Sequence, residues 1–282
     1  MSPNGTPGTS GTPDASRTPG TAGTPPTVVA VLGLGEAGGA IAGDLARAGA
    51  GVRAYDPADV TVPDGVTATG SEAEAVAGAQ LVLSVNSASA ADDALRAGAP
   101  AVTEGAVWAD LNTASPGAKR ALAATAAEHG VTFADVAIMA PVPGRGLRVP
   151  MLTCGEGAGT VVRLLTPYGA SVDLVEGEAG TAAERKLLRS VFFKGMAAAV
   201  VEALAAGRAA GCEEWLRENI AGELGRADAA TVDRLVSGSH RHAVRRTSEM
   251  AAATEMLTAL GVEPAVASAS RDLLARLAAA GE

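Results

Sequence analysis

Aromatic residues are nearly missing: two Trp, two Tyr and three Phe make up 2% of the 282 residues. An interior built without them must use Ala, Val and Leu, which favours close approach of helices over bulky side chains filling gaps. Lysine and histidine are also scarce, at three each. The two cysteines, Cys154 and Cys212, match no metal-binding or redox spacing, so both are expected reduced and packed, with no metal site. No run of about 18 uncharged apolar residues occurs, so no membrane span is expected. The N-terminus lacks the charged start and apolar core of a signal peptide, which leaves a cytoplasmic location as the expectation. A net charge of −9 with no basic stripe or tail argues against nucleic acid and anionic membranes as partners.

What is abundant is glycine, with 35 residues. A chain of this length holds one large or two ordinary domains, and two are expected. Residues 1–26 repeat Gly-Thr-Pro and its variants with nothing apolar to bury, which predicts a disordered tail. The stretch from Val28 to Asp56 organises the rest of the chain. Val28 to Leu32 is a short β-branched run, the pattern of a buried parallel strand. Gly33-x-Gly35-x-x-Gly38 then opens an apolar-periodic helix that leads into a second strand, Val52 to Tyr55. In such a βαβ unit Gly33 permits the tight turn, Gly35 lets a pyrophosphate approach the backbone, and Gly38 lets helix and strand pack closely. The N–H groups across Leu34, Gly35, Glu36 and Ala37 would face the phosphates. Asp56 closes the second strand 23 positions after Gly33, where a carboxylate accepts from the ribose hydroxyls of NAD and repels the 2′-phosphate of NADP. The cofactor expected is therefore NAD, with NADP as the alternative.

Further strands are predicted at Val66 to Thr69, Gln80 to Val85, Ala106 to Leu111, Val131 to Met139, Met151 to Cys154 and Ser171 to Val175. Asn86 follows a strand end that would face the cofactor crevice, so a contact with the nicotinamide-side ribose is expected. Ser115-Pro116 starts a helix that ends near His129. The turn Ala140 to Gly146 offers backbone N–H groups for an anion. From Glu178 onward only helical patterns remain, beginning with a long helix from about Thr181 to Ala210. The expectation is thus a doubly wound, mostly parallel α/β Rossmann domain over 27–178. An all-α domain for substrate binding and dimerisation, over 179–282, is joined to it by that interdomain helix.

The three lysines are Lys119, Lys186 and Lys194. A buried lysine can lose its proton near neutral pH, which arginine cannot do. Lys119, beside Arg120, reads as a solvated surface charge. Lys186 and Lys194 lie on the long helix where a second domain would close over a nicotinamide. Lys186 is the preferred acid/base, and Lys194 is a second cation directed at the substrate. Arg189, one turn from Lys186, would pair with an anionic substrate group and hold down the lysine pKa.

The order of these motifs resembles the β-hydroxyacid dehydrogenases, which include 3-hydroxyisobutyrate and 6-phosphogluconate dehydrogenases. The resemblance runs over residues 28–210: the glycine turn, Asp56, Asp110-x-Asn112-Thr113 with Pro116, Pro141-Val142-Pro143-Gly144, and Gly177-x-x-Gly180-x-Ala182-x-x-x-Lys186. It implies that Lys186 is the general acid/base and that Asn112, Thr113, Gly144 and Arg145 hold a substrate carboxylate. Arg189 and Ser190 stand where the family has two asparagines, and Pro143 where it has serine, which leaves the substrate open. The C-terminal part, with His240-Arg241-His242 and Arg245-Arg246, resembles an alternative helical domain of a 6-phosphogluconate-dehydrogenase-like subgroup, and that cluster is a candidate cation source for the site, including the site of a second subunit. The reaction expected is NAD(P)-dependent interconversion of an alcohol and a carbonyl in a small anionic substrate by a homodimer. Two rivals remain: an imine reductase using NADPH, and a dinucleotide-binding module without catalysis.

Overall fold

A computed structural model describes residues 27–280; the expected disordered tail lies outside them. Eight strands form one sheet: β1 (Val28–Leu32), β2 (Gly51–Tyr55), β3 (Val66–Ala68), β4 (Leu81–Ser84), β5 (Val107–Asp110), β6 (Thr132–Ile138), β7 (Met151–Cys154) and β8 (Val172–Leu174). Their order is β3-β2-β1-β4-β5-β6-β7-β8. Every neighbouring pair is parallel except β6 and β7. The order reverses between β1 and β4, so a crevice opens beyond their carboxyl ends, the place where such sheets bind ligands.

Helices cover both faces. On one, α1 (Glu36–Arg47) and α5 (Ala158–Leu165) pack Ile41, Leu45, Val161 and Leu165 against Val29, Leu81 and Val136 of the sheet. On the other, α2 (Glu72–Val76), α3 (Ala91–Gly98) and α4 (Pro116–Glu128) bury Leu95 and Leu122 around Trp108. Trp108 is 1% exposed, and a Cβ at Gly98 would stand 3.0 Å from its ring, so the helix approaches closely enough for this indole to fill the gap. The sequence reading missed α3, although Asp92 and Asp93 sit in its first turn.

The remaining helices are α6 (Thr181–Ala209), α7 (Glu213–Gly225), α8 (Ala229–Arg241), α9 (Ala243–Ala259) and α10 (Ala265–Ala280). Their own core is small, centred on Ala206, Leu257 and Ala267. Glu202 ties α6 to α10 by accepting from the N–H groups of Val266 (2.7 Å) and Ala267 (2.8 Å). Along the 29 residues of α6 only Ala182, Ala183, Ala206 and Gly207 are buried. By length and composition α6 could cross a membrane, although no uncharged stretch of that length stood out in the sequence, because Lys194 and Glu202 interrupt it.

Candidate active site

The crevice is built from the glycine turn outward. Gly33 has φ +98°, and a Cβ there would lie 2.7 Å from the Val85 carbonyl oxygen at the end of β4. Only glycine lets β1 turn this close to its neighbour. A Cβ at Gly38 would meet the Gly33 carbonyl oxygen at 1.9 Å, whereas one at Gly35 would meet nothing within 4 Å. Two glycines are therefore required by packing, and the middle one leaves open space at the start of α1. That is the arrangement a dinucleotide pyrophosphate needs, and the residues present fit it.

Asp56 is half-buried at the end of β2. Its carboxylate accepts from the N–H of Leu34 (2.7 Å) and of Ala58 (2.9 Å), which fixes it against the glycine turn. Leu34 serves the site through this bond, and its side chain belongs to the core. Glu36 is exposed in the first turn of α1.

Beyond β4 and β5 lies a cavity of about 380 Å³, lined among others by Ala37, Asn86, Asn112, Thr113, Pro141, Lys186 and Arg189. Lys186 Nζ donates to Thr113 Oγ1 at 2.8 Å. Burial, then the charges of Lys119 and Lys194, push the Lys186 pKa below the ordinary lysine value, while Asp135 acts in the opposite sense. Arg189 is not among these causes, contrary to the sequence expectation; its guanidinium lies 4.1 Å from the centre of the Phe193 ring while still lining the cavity. Asn112 is 7% exposed, and its amide donates to Asp110 (2.7 Å), Asn86 (2.8 Å) and Ser84 (3.1 Å).

Several expectations are corrected. Lys119 is not a solvated surface charge: it is 1% exposed, with Nζ 2.5 Å from Asp110 Oδ1, 2.7 Å from the Asp110 carbonyl and 3.0 Å from Asp135 Oδ1. The last is an ion-pair contact without hydrogen-bond alignment. The turn at Gly144 and Arg145 does not line the cavity. The N–H groups of Arg145 and Gly146 donate to the Val142 carbonyl within the turn, and that of Leu147 donates to the Asp44 carboxylate on α1, so these three are already paired. Lys194 is exposed and acts on Lys186 only through its charge. Cys154 is buried as expected, but Cys212 is exposed. Within one chain, His240, Arg241, His242 and Arg245 line a separate cavity of about 490 Å³ in the helical domain.

The start of α6 is anchored without a capping side chain of its own. Gly180, at φ +104°, lets the chain turn where a Cβ would lie 2.8 Å from the Pro116 carbonyl oxygen. The N–H groups of Gly180 (3.1 Å) and Ala183 (3.0 Å) donate to Asp135 Oδ2, and that of Ala182 donates to Cys154 Sγ (3.2 Å). Three groups that a helix start leaves unpaired are satisfied from β6 and β7.

Comparison with known proteins agrees with this geometry. Residues 28–145 match the NAD binding domain of 6-phosphogluconate dehydrogenase. A conserved hypothetical protein from Sinorhizobium meliloti 1021 is 30% identical, with 88% of this chain and 87% of that chain covered and a TM-score of 0.59. Through this domain the chain is similar to the β-hydroxyacid dehydrogenases. Residues 208–277 match a domain of unknown function, DUF1932, which occupies the place of the alternative helical domain the sequence suggested. A conserved protein of unknown function, described as structurally similar to 3-hydroxyacid dehydrogenases, is 26% identical over 90% of this chain and 99% of that one, with a TM-score of 0.58. An imine reductase from Streptomyces aurantiacus is 25% identical over 90% of this chain and 95% of that one, with a TM-score of 0.74. An uncharacterized 28.5 kDa protein from Methanothermus fervidus is 23% identical over 59% of this chain, and the match spans 64% of that protein, less than two thirds of its length. The N-terminal domain of this chain is thus an NAD(P)-binding domain.

Proposed function

We propose that the protein is an NAD-preferring oxidoreductase that interconverts an alcohol and a carbonyl in a small anionic substrate, with Lys186 as the acid/base. The observation that carries this reading is the amine of Lys186, held by Thr113 at the mouth of a cavity that begins at the first turn of α1. A bound nicotinamide supplies the hydride acceptor in one direction and the donor in the other. Residues of the glycine turn, Asp56 and Asn86 would hold the dinucleotide. In the oxidative direction the neutral amine of Lys186 takes the hydroxyl proton of the alcohol; in the reverse direction its ammonium returns that proton to the carbonyl oxygen. Arg189 supplies donors to the anionic end of the substrate, orienting its carbinol carbon, and Asn112, held by its own hydrogen bonds, shapes the facing wall.

The preference for NAD rests on Asp56 and on what surrounds it. No Lys or Arg occurs between Arg53 and Arg96, and Asp59 adds a second acid to the loop after β2. A 2′-phosphate would meet negative charge there.

An imine reductase is the second reading, favoured by the likeness to the Streptomyces enzyme. A panel of plain, phosphorylated and phosphonate hydroxy acids with NAD, beside cyclic imines with NADPH, separates the two. Turnover of a hydroxy acid supports the first reading, and turnover of imines alone supports the second.

The same reading includes a homodimer. Leu188 (65% exposed), Val191 (74%), Phe192 (56%) and Val201 (69%) leave α6 with apolar surface that the other described residues do not cover. A second copy placed there would bury that surface.

A further inference from the structure

Asp110 and Asp135 face each other in register on the neighbouring strands β5 and β6. Both are at most 1% exposed. Two buried carboxylates side by side are tolerated only with a cation between them, and Lys119, projecting from α4, is that cation. Each carboxylate also reaches onward with its second oxygen. Asp110 Oδ2 accepts from the Asn112 amide at 2.7 Å, and Asn112 lines the cavity. Asp135 Oδ2 accepts from the N–H groups of Gly180 and Ala183, the first turn of the helix that presents Lys186 one turn later.

We propose that Lys119 is a positioning residue: clamped between Asp110 and Asp135, it holds the Asn112 amide on one side of the cavity and the start of the Lys186 helix on the other. The proposal rests on the assignment of Lys186 as the acid/base and deepens it. Lys119 does not line the cavity and touches no substrate; it acts through the two carboxylates and through its charge. The charged groups around Lys186 are Lys119 on α4, Asp135 on β6, and Arg189 and Lys194 on α6 itself. Removing the Lys119 cation leaves Asp135 unopposed, and both changes favour the protonated form of Lys186. Lys119 weighs more on Lys186 than Lys194 does, so its loss has the larger effect.

The chain has only three lysines, which makes a direct test possible. Protein labelled with ¹⁵N at lysine Nζ gives three side-chain signals, assigned with K186R and K194R, and the pH midpoint of Lys186 is read without any substrate. Lys119→Met is expected to move that midpoint upward, by more than Lys194→Met does. Lys119→Met with Asp135→Asn, which removes one charge of each sign, is expected to lie between Lys119→Met and the wild type. A Lys186 midpoint at or below that of the wild type, in either folded variant, overturns the proposal. So does failure of both variants to fold, since Lys119 would then be a structural residue. Because the titration does not depend on turnover, it can succeed or fail independently of whether Lys186 is the acid/base.

Discussion

The amine of Lys186 on α6 and the hydroxyl of Thr113 after β5 are 2.8 Å apart, although 73 positions separate them in the chain. This bond joins the helical domain to the cofactor-binding sheet and aims the amine into the crevice. Lys186→Met is expected to lower turnover by about 10²–10⁴-fold, the range of a lost general acid/base, with NAD binding retained by calorimetry. Thr113→Val removes the bond that aims the amine and is expected to lower kcat by a smaller factor.

The depressed pKa of Lys186 sets the direction of the pH dependence. Oxidation needs the neutral amine, so kcat/KM for the alcohol rises with pH and levels off at a midpoint below the ordinary lysine value; for carbonyl reduction it falls through the same midpoint. A pH–rate profile in each direction checks this. Stability follows the same linkage. Between the depressed folded value and the unfolded value near about 10.4 the folded state binds fewer protons, so stability rises with pH there, and below that window the ammonium is a burden on the fold. Lys186→Met is therefore expected to be at least as stable as the wild type at pH 7 in a urea titration.

Lys119 stands at the opposite extreme. Removing one member of a buried ion cluster leaves an unpaired charge, and Lys119→Met is expected to cost about 3–5 kcal/mol in the same urea titration. A loss below about 1 kcal/mol would place Lys119 with exposed ion pairs.

Asp56 is expected to make NAD bind more tightly than NADP. Asp56→Asn keeps an oxygen for one of the two N–H partners and removes the charge. The ratio of the two dissociation constants should move toward NADP by roughly 10-fold, about 1.4 kcal/mol, within the range of one like-charge contact at about 4 Å. An unchanged ratio would show that the 2′-phosphate does not lie beside this carboxylate.

The exposed apolar face of α6 leads to an expected dimer in sedimentation at micromolar concentration. Val191→Glu, at a position 74% exposed in the single chain, should dissociate it. A wild-type monomer under these conditions would contradict the homodimer.

The glycine turn, the strand sequence and the interdomain helix were legible because each rests on local signals: β-branched runs, glycine spacing and apolar periodicity. Lys119 was not, since its neighbour Arg120 suggested solvent. The signal was present one turn further on: Lys119 shares a helix face with Leu122 and Ala126, both buried. Asp110 and Asp135, each set among apolar neighbours in a buried strand, called for a cation. The anchoring of α6 by Asp135 was invisible for another reason. The carboxylate comes from a strand 45 positions before Gly180, and no local pattern reports a cap supplied from that distance. At the turn after Gly144 the sequence does not report that the N–H groups of Arg145 and Gly146 close onto Val142 and that of Leu147 reaches Asp44.

The central claim is that the amine of Lys186 exchanges the substrate proton beside a nicotinamide seated on the glycine turn. Its most direct test is NAD-linked turnover of the best hydroxy acid from the panel by the wild type and by Lys186→Met, with NAD affinity measured on both. The expected result is equal NAD affinity with turnover reduced at least about 100-fold in the variant. Undiminished turnover in Lys186→Met would contradict it.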